Sequence, residues 1–456
     1  MSGLLAGILG LIVLLVLLFA GMHIGLAMSL VGFFGIFLMK YQTFKVIEGG
    51  GVKAFQTALG AFQSGPFASC TKESLVVIPM FTLMGVVCYY AGISQDLYGA
   101  CYKWISRVRG GLAVATEVAC AFFGAICGSA TATTASMGKI CLPEMDRYGY
   151  KRTLSAGAIS AGGTLGILIP PSTGFMLYGI NAGVGVGPMF IAGIIPGIIL
   201  TICYAAVAIV ICIKDPEAGP KGPGFPMKEK LKALLGVAPV LVLFIMVLGG
   251  ILFGWCSATE GGAVGAFGAF IFMILKRKFN WKNLIAALKE TLETTAMIFL
   301  IMIGSDLLGQ FFSLTGMSTQ LANFFLANGV SKWAVLAICL LIYGILGCFI
   351  DSLPLIVLLT PIFLPIILAA FGGGNMTDDQ IRMWFGVLMV MLMEFGLLTP
   401  PVGMCCYVMA GIAPDMSLGQ VFKGTAPFLI GIGVAIIIMI CLPVLSFWLP
   451  GFMTYG

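Results

Sequence analysis

Apolar residues in this chain do not form the narrow one-face stripe of a soluble helix; they run on without interruption. Leu4–Met39, Val186–Ile213, Leu234–Leu275 and Phe428–Leu449 carry almost no charge. Each run is long enough for one or two membrane spans of about 20 residues. The first run breaks near Gly21-Met22-His23. Further apolar stretches in the first half lie near Leu75–Tyr90, Leu112–Leu142 and Leu154–Ile180. Two arms, Gln42–Lys72 and Lys276–Glu293, are too polar to span; they read as amphipathic helices lying in the membrane interface.

The pattern repeats. Leu165-Gly166-Ile167-Leu168-Ile169-Pro170-Pro171 returns as Phe395-Gly396-Leu397-Leu398-Thr399-Pro400-Pro401 after 230 residues. Val31-Gly32-Phe33-Phe34-Gly35 returns as Val264-Gly265-Ala266-Phe267-Gly268. Gly85 with Gly92-Ile93-Ser94 matches Gly309 with Gly316-Met317-Ser318, and Gly124 and Ser129 match Gly347 and Ser352. The order holds and the offset stays between 223 and 233, which is the signature of a duplication. Lys214–Lys232, rich in Lys, Pro and Gly, joins the halves. The expected organisation is a first repeat over 1–213, a cytoplasmic linker over 214–233 and a second repeat over 234–456.

If every apolar stretch of the first half crossed the bilayer, the two repeats would face the same way. One re-entrant hairpin per repeat makes the crossings odd and inverts them. Irregular backbone at membrane depth is tolerated where protein or a water cavity covers it, and Gly- and Pro-interrupted segments at matching places in both halves point to such a site. The predicted fold is therefore an all-α polytopic membrane protein of two inverted repeats, with re-entrant hairpins and broken helices. It places Lys40, Lys45 and Lys53 outside, against the positive-inside rule.

Composition agrees. Hydrophobic residues make up 60% and charged residues 9%, against about 25% charged in soluble domains. The first lysine is Lys40, so the start lacks the basic region of a secretory signal. The 14 cysteines include no C-x-x-C pair and read as small buried hydrophobes; the single histidine, His23, cannot hold a metal alone. The net charge of +6 fits positive-inside bias rather than nucleic-acid binding, and no basic stripe with interleaved aromatics appears.

Chemistry gathers at the duplicated places. Phe122–Pro143 crowds Ser129, Thr131, Thr133, Thr134 and Ser136 beside Gly128 in a segment otherwise fit for lipid. Such hydroxyls can bond back to their own helix; around an unwound turn they can instead face a hard cation. The matching Gly347–Pro365 carries Asp351 beside Ser352, and Glu394 precedes Phe395-Gly396; intramembrane carboxylates are functional by default. The paired prolines end a helix. Each break frees carbonyls for a cation, and the helix that follows aims bare N–H groups at an anion. Candidate substrate-binding positions are Gly128, Ser172, Thr173, Glu394 and Gly403.

At these residues the chain resembles the large membrane subunit of TRAP transporters, the tripartite ATP-independent periplasmic systems. The resemblance is carried by Ile78–Gly85 with Ala91–Ser94, Gly128–Gly138 with Pro143–Tyr150, Ser160–Ser172 and Glu394–Gly403. It implies an elevator-type carrier with a scaffold and a moving core, multi-pass in the bacterial inner membrane and coupled to sodium ions. It implies two partners, a small four-helix membrane subunit and a periplasmic substrate-binding protein, and a carboxylate substrate of the sialic acid or C4-dicarboxylate class. The small subunit is expected as a separate chain, since none of it precedes residue 1. Carried onto this sequence, the sodium ligands come from Ser129, Thr131, Thr134, Gly163, Thr164, Gly166, Pro170, Asp351, Ser352, Thr399 and Pro400. No arginine lies inside a clear apolar segment, so a carboxylate is expected to meet helix ends, amides and sodium. The competing readings are a membrane enzyme, for which no catalytic set is present; a channel, which favours oligomeric rings over an inverted repeat; and a receptor-independent sodium:organic anion symporter.

Overall fold

The computed structural model describes residues 2–46 and 48–453, and all regular structure among them is helical. The first repeat holds α1 (Gly3–Phe19), α2 (Ile24–Phe44), α3 (Gly50–Cys70), α4 (Val77–Tyr90), α5 (Ile93–Ile105), α6 (Gly111–Cys127), α7 (Ala130–Arg147), α8 (Arg152–Leu168), α9 (Thr173–Ala182) and α10 (Val186–Lys214). The second holds α11 (Met227–Leu252), α12 (Ala258–Leu275), α13 (Trp281–Thr315), α14 (Met317–Ala327), α15 (Lys332–Gly347), α16 (Ser352–Phe371), α17 (Asp378–Leu398), α18 (Met404–Ile412) and α19 (Leu418–Cys441). The two series correspond element by element, except that α13 alone occupies the place of α3 and α4. Among the described residues nine spans are long and apolar enough to cross a bilayer, and bent α11 makes a tenth; α8 and α9 count as one broken span of 31 residues. Limbs α6 and α15, at 17 and 16 residues, fall short.

Both feet of the α6–α7 hairpin rest on the strap that joins the repeats, residues 215–226. The Gly110 amide donates to the Gly219 carbonyl (3.1 Å) and the Lys151 amide to the Ala218 carbonyl (3.0 Å). The Tyr150 hydroxyl accepts from the Leu112 amide (3.2 Å) and donates to the Pro220 carbonyl (2.9 Å). A helix pair whose two ends share one anchor enters and leaves on one side, so this hairpin is re-entrant. From the same foot α8 and α9 cross the molecule. At their far end the Tyr178 hydroxyl donates to the Arg382 carbonyl (2.7 Å), and Arg382 Nη1 donates to the Ala182 carbonyl (3.0 Å). There α17 begins, and it runs back: Arg152 at the start of α8 pairs with Asp415, just past α18. The two broken helices are therefore antiparallel, which is inversion.

The α15–α16 hairpin is rooted on the far side. Lys332 lies 5.5 Å over the ring of Phe371, joining its two feet, and Trp333 and Phe371 both pack on Trp384 of α17. The strap side carries Arg107, Arg109, Arg147, Lys214 and Lys276, the kind of basic excess that the positive-inside rule associates with a cytoplasmic face. There Lys151 holds the Asp215 carboxyl, and Arg152 the Asp415 carboxyl, below the usual carboxylate range through side-chain hydrogen bonds. α2 runs parallel to α13, with Gly25 at Leu300, Gly32 at Leu307 and Gly35 at Phe311, so Lys40 and Lys45 lie on the far side.

Elements trade places across the pseudo-two-fold. α2 packs on α13 and α12 on α4; α7 packs on α18 and α16 on α9. Two expectations meet a different geometry. The second arm is no separate helix: α13 is one continuous helix of 35 residues, about 52 Å long, because its polar start has neither Gly nor Pro to stop it. The joining segment is shorter than expected, since Lys228, Lys230 and Lys232 already belong to α11.

Candidate functional site

Each hairpin turns over at mid-molecule against the broken helix of its own repeat. At the first tip α6 ends on Gly128 with φ 65°, a left-handed cap that favours glycine. Ser129 then caps α7, its side chain accepting from the Ala132 amide (3.5 Å) and lying 3.4 Å from Thr131 Oγ1. The Thr133 hydroxyl donates to the Ser129 carbonyl (2.7 Å) and that of Thr134 to the Ala130 carbonyl (2.9 Å). These are the back-bonds of the bland reading, yet each oxygen keeps acceptor capacity. Close approach to α8 is absolute: a Cβ on Gly163 would collide with Thr134 Oγ1, and one on Gly166 would lie 2.7 Å from Thr133 Oγ1.

The first break, Ile169–Ser172, contains the cis peptide Pro170-Pro171 and is largely buried. Ser172 caps α9, accepting from the Phe175 amide (3.3 Å) and donating to the Ile167 carbonyl. The Thr173 hydroxyl donates to the Gly128 carbonyl (2.7 Å), tying break to tip. Ser129, Thr131, Thr134, Gly163, Gly166, Gly128 and Thr173 thus share one locus. Thr164 does not: it faces the Tyr204 hydroxyl of α10 at 3.3 Å.

The second tip is built alike. Asp351 caps α16, its carboxylate accepting from the Ser352 amide (2.7 Å) and hydroxyl (3.2 Å). Here a Cβ on Gly396 would sit 2.6 Å from the Gly347 carbonyl carbon, as one on Gly124 would sit 2.6 Å from the Gly166 Cα. The second break carries the cis peptide Pro400-Pro401, and the Thr399 hydroxyl donates to the Phe395 carbonyl (2.6 Å). Unlike the first break, these prolines are exposed. A cavity of 150 Å³ opens beside them, lined by Gly347, Asp351, Gly396, Gly403 and Met404 among others. Gly403, with φ 55°, starts α18 with no side-chain cap, so the uncapped start of α18 and Asp351 line the same small cavity.

Glu394 is fully buried, and neither carboxyl oxygen has a partner among the described residues; it does not line that cavity. Sequence reasoning missed two carboxylates. Glu117 on α6 is as buried and as unpartnered as Glu394. Asp306 on α13 is bridged by Lys72 (2.9 Å) and Ser69 of the first arm. Both sit singly in apolar runs, and the signal that finds them is the one applied to Asp351: a carboxylate at membrane depth.

The family described as tripartite ATP-independent periplasmic transporter, DctM component, matches residues 11–445. A C4-dicarboxylate TRAP transporter large permease protein of Pseudomonas aeruginosa is 32% identical over 393 residues, covering 85% of this chain and 88% of that one. A sialic acid TRAP transporter large permease protein of Vibrio cholerae is 27% identical, covering 96% of this chain and 97% of its own. An isethionate TRAP transporter permease of Oleidesulfovibrio alaskensis is 30% identical over 92% of this chain and 66% of its own. Among solved structures, the YdaH transporter of Alcanivorax borkumensis aligns with a TM-score of 0.58 at 13% identity, covering 89% of this chain and 90% of that one, a likeness of fold.

Proposed function

The chain belongs to the DctM component family of tripartite ATP-independent periplasmic transporters, and from that premise we propose that it carries a carboxylate inward together with sodium. Its relatives are permeases, not enzymes, and it is a multi-pass protein of the inner membrane. In this reading it works with a small four-helix membrane subunit and a periplasmic substrate-binding protein. Its hairpins and broken helices move as a core against a scaffold of α1, α2, α4 and α11–α13, elevator fashion. The similarity to C4-dicarboxylate and sialic acid permeases supports a carboxylate of those classes.

One observation carries the coupling: Asp351 shares a small cavity with the uncapped start of α18. A bare helix N-terminus favours an anion, but a carboxylate at 351 repels one. Sodium, a hard cation that takes oxygen ligands, removes that repulsion. Asp351, Ser352, Thr399 and the freed carbonyls near Pro400 offer such ligands at the second tip. Ser129, Thr131, Thr134 and carbonyls from Gly163 to Pro170 offer them at the first. Sodium then becomes a condition for substrate binding.

Proteoliposomes holding the chain with both partners test this. Asp351→Asn should abolish sodium-driven uptake with membrane insertion intact. Ser129→Ala should raise the sodium concentration for half-maximal uptake about tenfold, a change of about 1.4 kcal/mol. Wild-type behaviour of both variants sinks the reading. Uptake without any soluble receptor would instead favour a receptor-independent symporter.

A further inference from the structure

Glu117 lies about two turns, roughly 10 Å, along α6 from the strap-bound foot at Gly110. Its carboxyl faces α8 at Gly162, where an added Cβ would come 2.8 Å from Oε2. It is fully buried, and among the described residues neither oxygen has a hydrogen-bond partner. Every titratable group in its electrostatic reach is neutral or acidic. Cys120 of α6 and Cys141 of α7 interact electrostatically with Glu117 and with Cys101 of α5, and Tyr204 of α10 interacts with both Glu117 and Glu394 of α17. α8 places Gly162 against the carboxyl and carries its one charged residue, Arg152, at its strap end, engaged with Asp146 and Asp415; α4 brings Cys88 near Cys127, about 15 Å farther along α6. None of the groups that interact with Glu117 is a lysine or arginine.

Packing does not require an acid there. In the register of Gly124 with Gly347 and Ser129 with Ser352, the counterpart of Glu117 is Leu340, a buried leucine on α15 of the second repeat. An unpaired ionised carboxylate so placed costs several kcal/mol, and neutralisation is the ordinary escape. The seam against Gly162 leaves no room for a hydrated metal ion; a proton needs none.

We propose that Glu117 is a proton-binding site of the transport core, holding a proton in the conformation described and releasing it to cytoplasmic water when the foot of the first hairpin is wetted during the cycle. The carboxyl O–H bond breaks, its electron pair stays on the carboxylate and the proton passes to water; rebinding reverses the step. The inference rests on reading α6–α9 as part of the moving core.

Two measurements on the full complex decide it. Infrared spectroscopy of the purified wild type should show the carbonyl band of a protonated carboxylic acid that Glu117→Gln removes. In proteoliposomes at a fixed sodium gradient, the initial uptake rate should vary between mildly acid and mildly alkaline medium in the wild type, and E117Q should lose that variation. Glu117→Asp, which keeps an acid on a shorter arm, should keep the variation with a displaced midpoint. Glu394, equally buried and unpartnered, can contribute its own band, so a spectrum from which E117Q removes no carbonyl intensity overturns the proposal. So does a band that disappears while the pH profile stays that of the wild type, since Glu117 is then a permanently neutral packing residue. If the wild type shows no sodium-driven uptake, the carrier reading fails separately, and the infrared result still decides whether the proton is there.

Discussion

At the scale of single residues, the two tips depend on glycines where helices touch backbone to backbone. Gly396→Ala forces a methyl onto the Gly347 carbonyl, rigid backbone that cannot step aside. Overpacking of this kind costs about 1–3 kcal/mol. Thermal unfolding in detergent should show the loss, together with lost uptake. The control is Gly433→Ala on α19, where nothing lies within 4 Å; removing glycine's backbone freedom from a helix should leave stability equal or raise it by about 0.5–1 kcal/mol. The importance of these positions was legible because glycine recurs in register in both halves. The roles of the hydroxyls were not. A run of Ser and Thr looks the same whether it serves a cation or its own helix, and Thr133 and Thr134 do bond their own helix. That Thr164 turns to Tyr204 depends on α10, which pattern alone does not bring near.

Among elements, the first hairpin is held by its feet, and Tyr150 is the residue common to both. Its hydroxyl joins α6 to the strap through two hydrogen bonds. Tyr150→Phe leaves the Leu112 amide and the Pro220 carbonyl without that partner, a loss of about 1–3 kcal/mol for buried groups. It should loosen the strap, read as faster proteolytic cleavage between 215 and 226 with the remaining spans still protected. Hairpins and breaks were readable from sequence because Pro-Pro and Gly interrupt apolar runs at matching places. The strap's grip was not readable: a Lys-, Pro- and Gly-rich segment signals a linker, and its hydrogen bonds to Ser106, Gly110 and Lys151 join residues far apart in the chain. The length of α13 escaped for another reason. Its first turns are polar enough to look like an arm, while its helical hydrogen bonding never stops.

For the whole molecule, inversion has a direct check. In a background without its own cysteines, Lys221→Cys on the strap should react with a membrane-impermeant maleimide only from the cytoplasmic side. Asn375→Cys, between α16 and α17 and exposed, should react only from the other. Reaction of both from one side would overturn the antiparallel arrangement of α8–α9 and α17–α18. The duplication was visible in the sequence; counting crossings left both hands open, and the Gly- and Pro-interrupted segments at matching places favoured inversion; the structure adds which elements are exchanged across the axis.

The duplication is imperfect at one joint. The first repeat hinges α3 to α4 through a short 3₁₀ turn at Glu73–Val76, whereas the second runs straight through α13. Two interchangeable halves would merely swap roles as a carrier passed from facing one compartment to facing the other, and the empty protein would rest equally in either pose. A jointed beam set against a rigid one lifts that degeneracy. If the chain alternates between compartments as proposed, its resting population should lean to one of them before any gradient is applied, and the unequal arms add to that lean alongside the differences between the two tips.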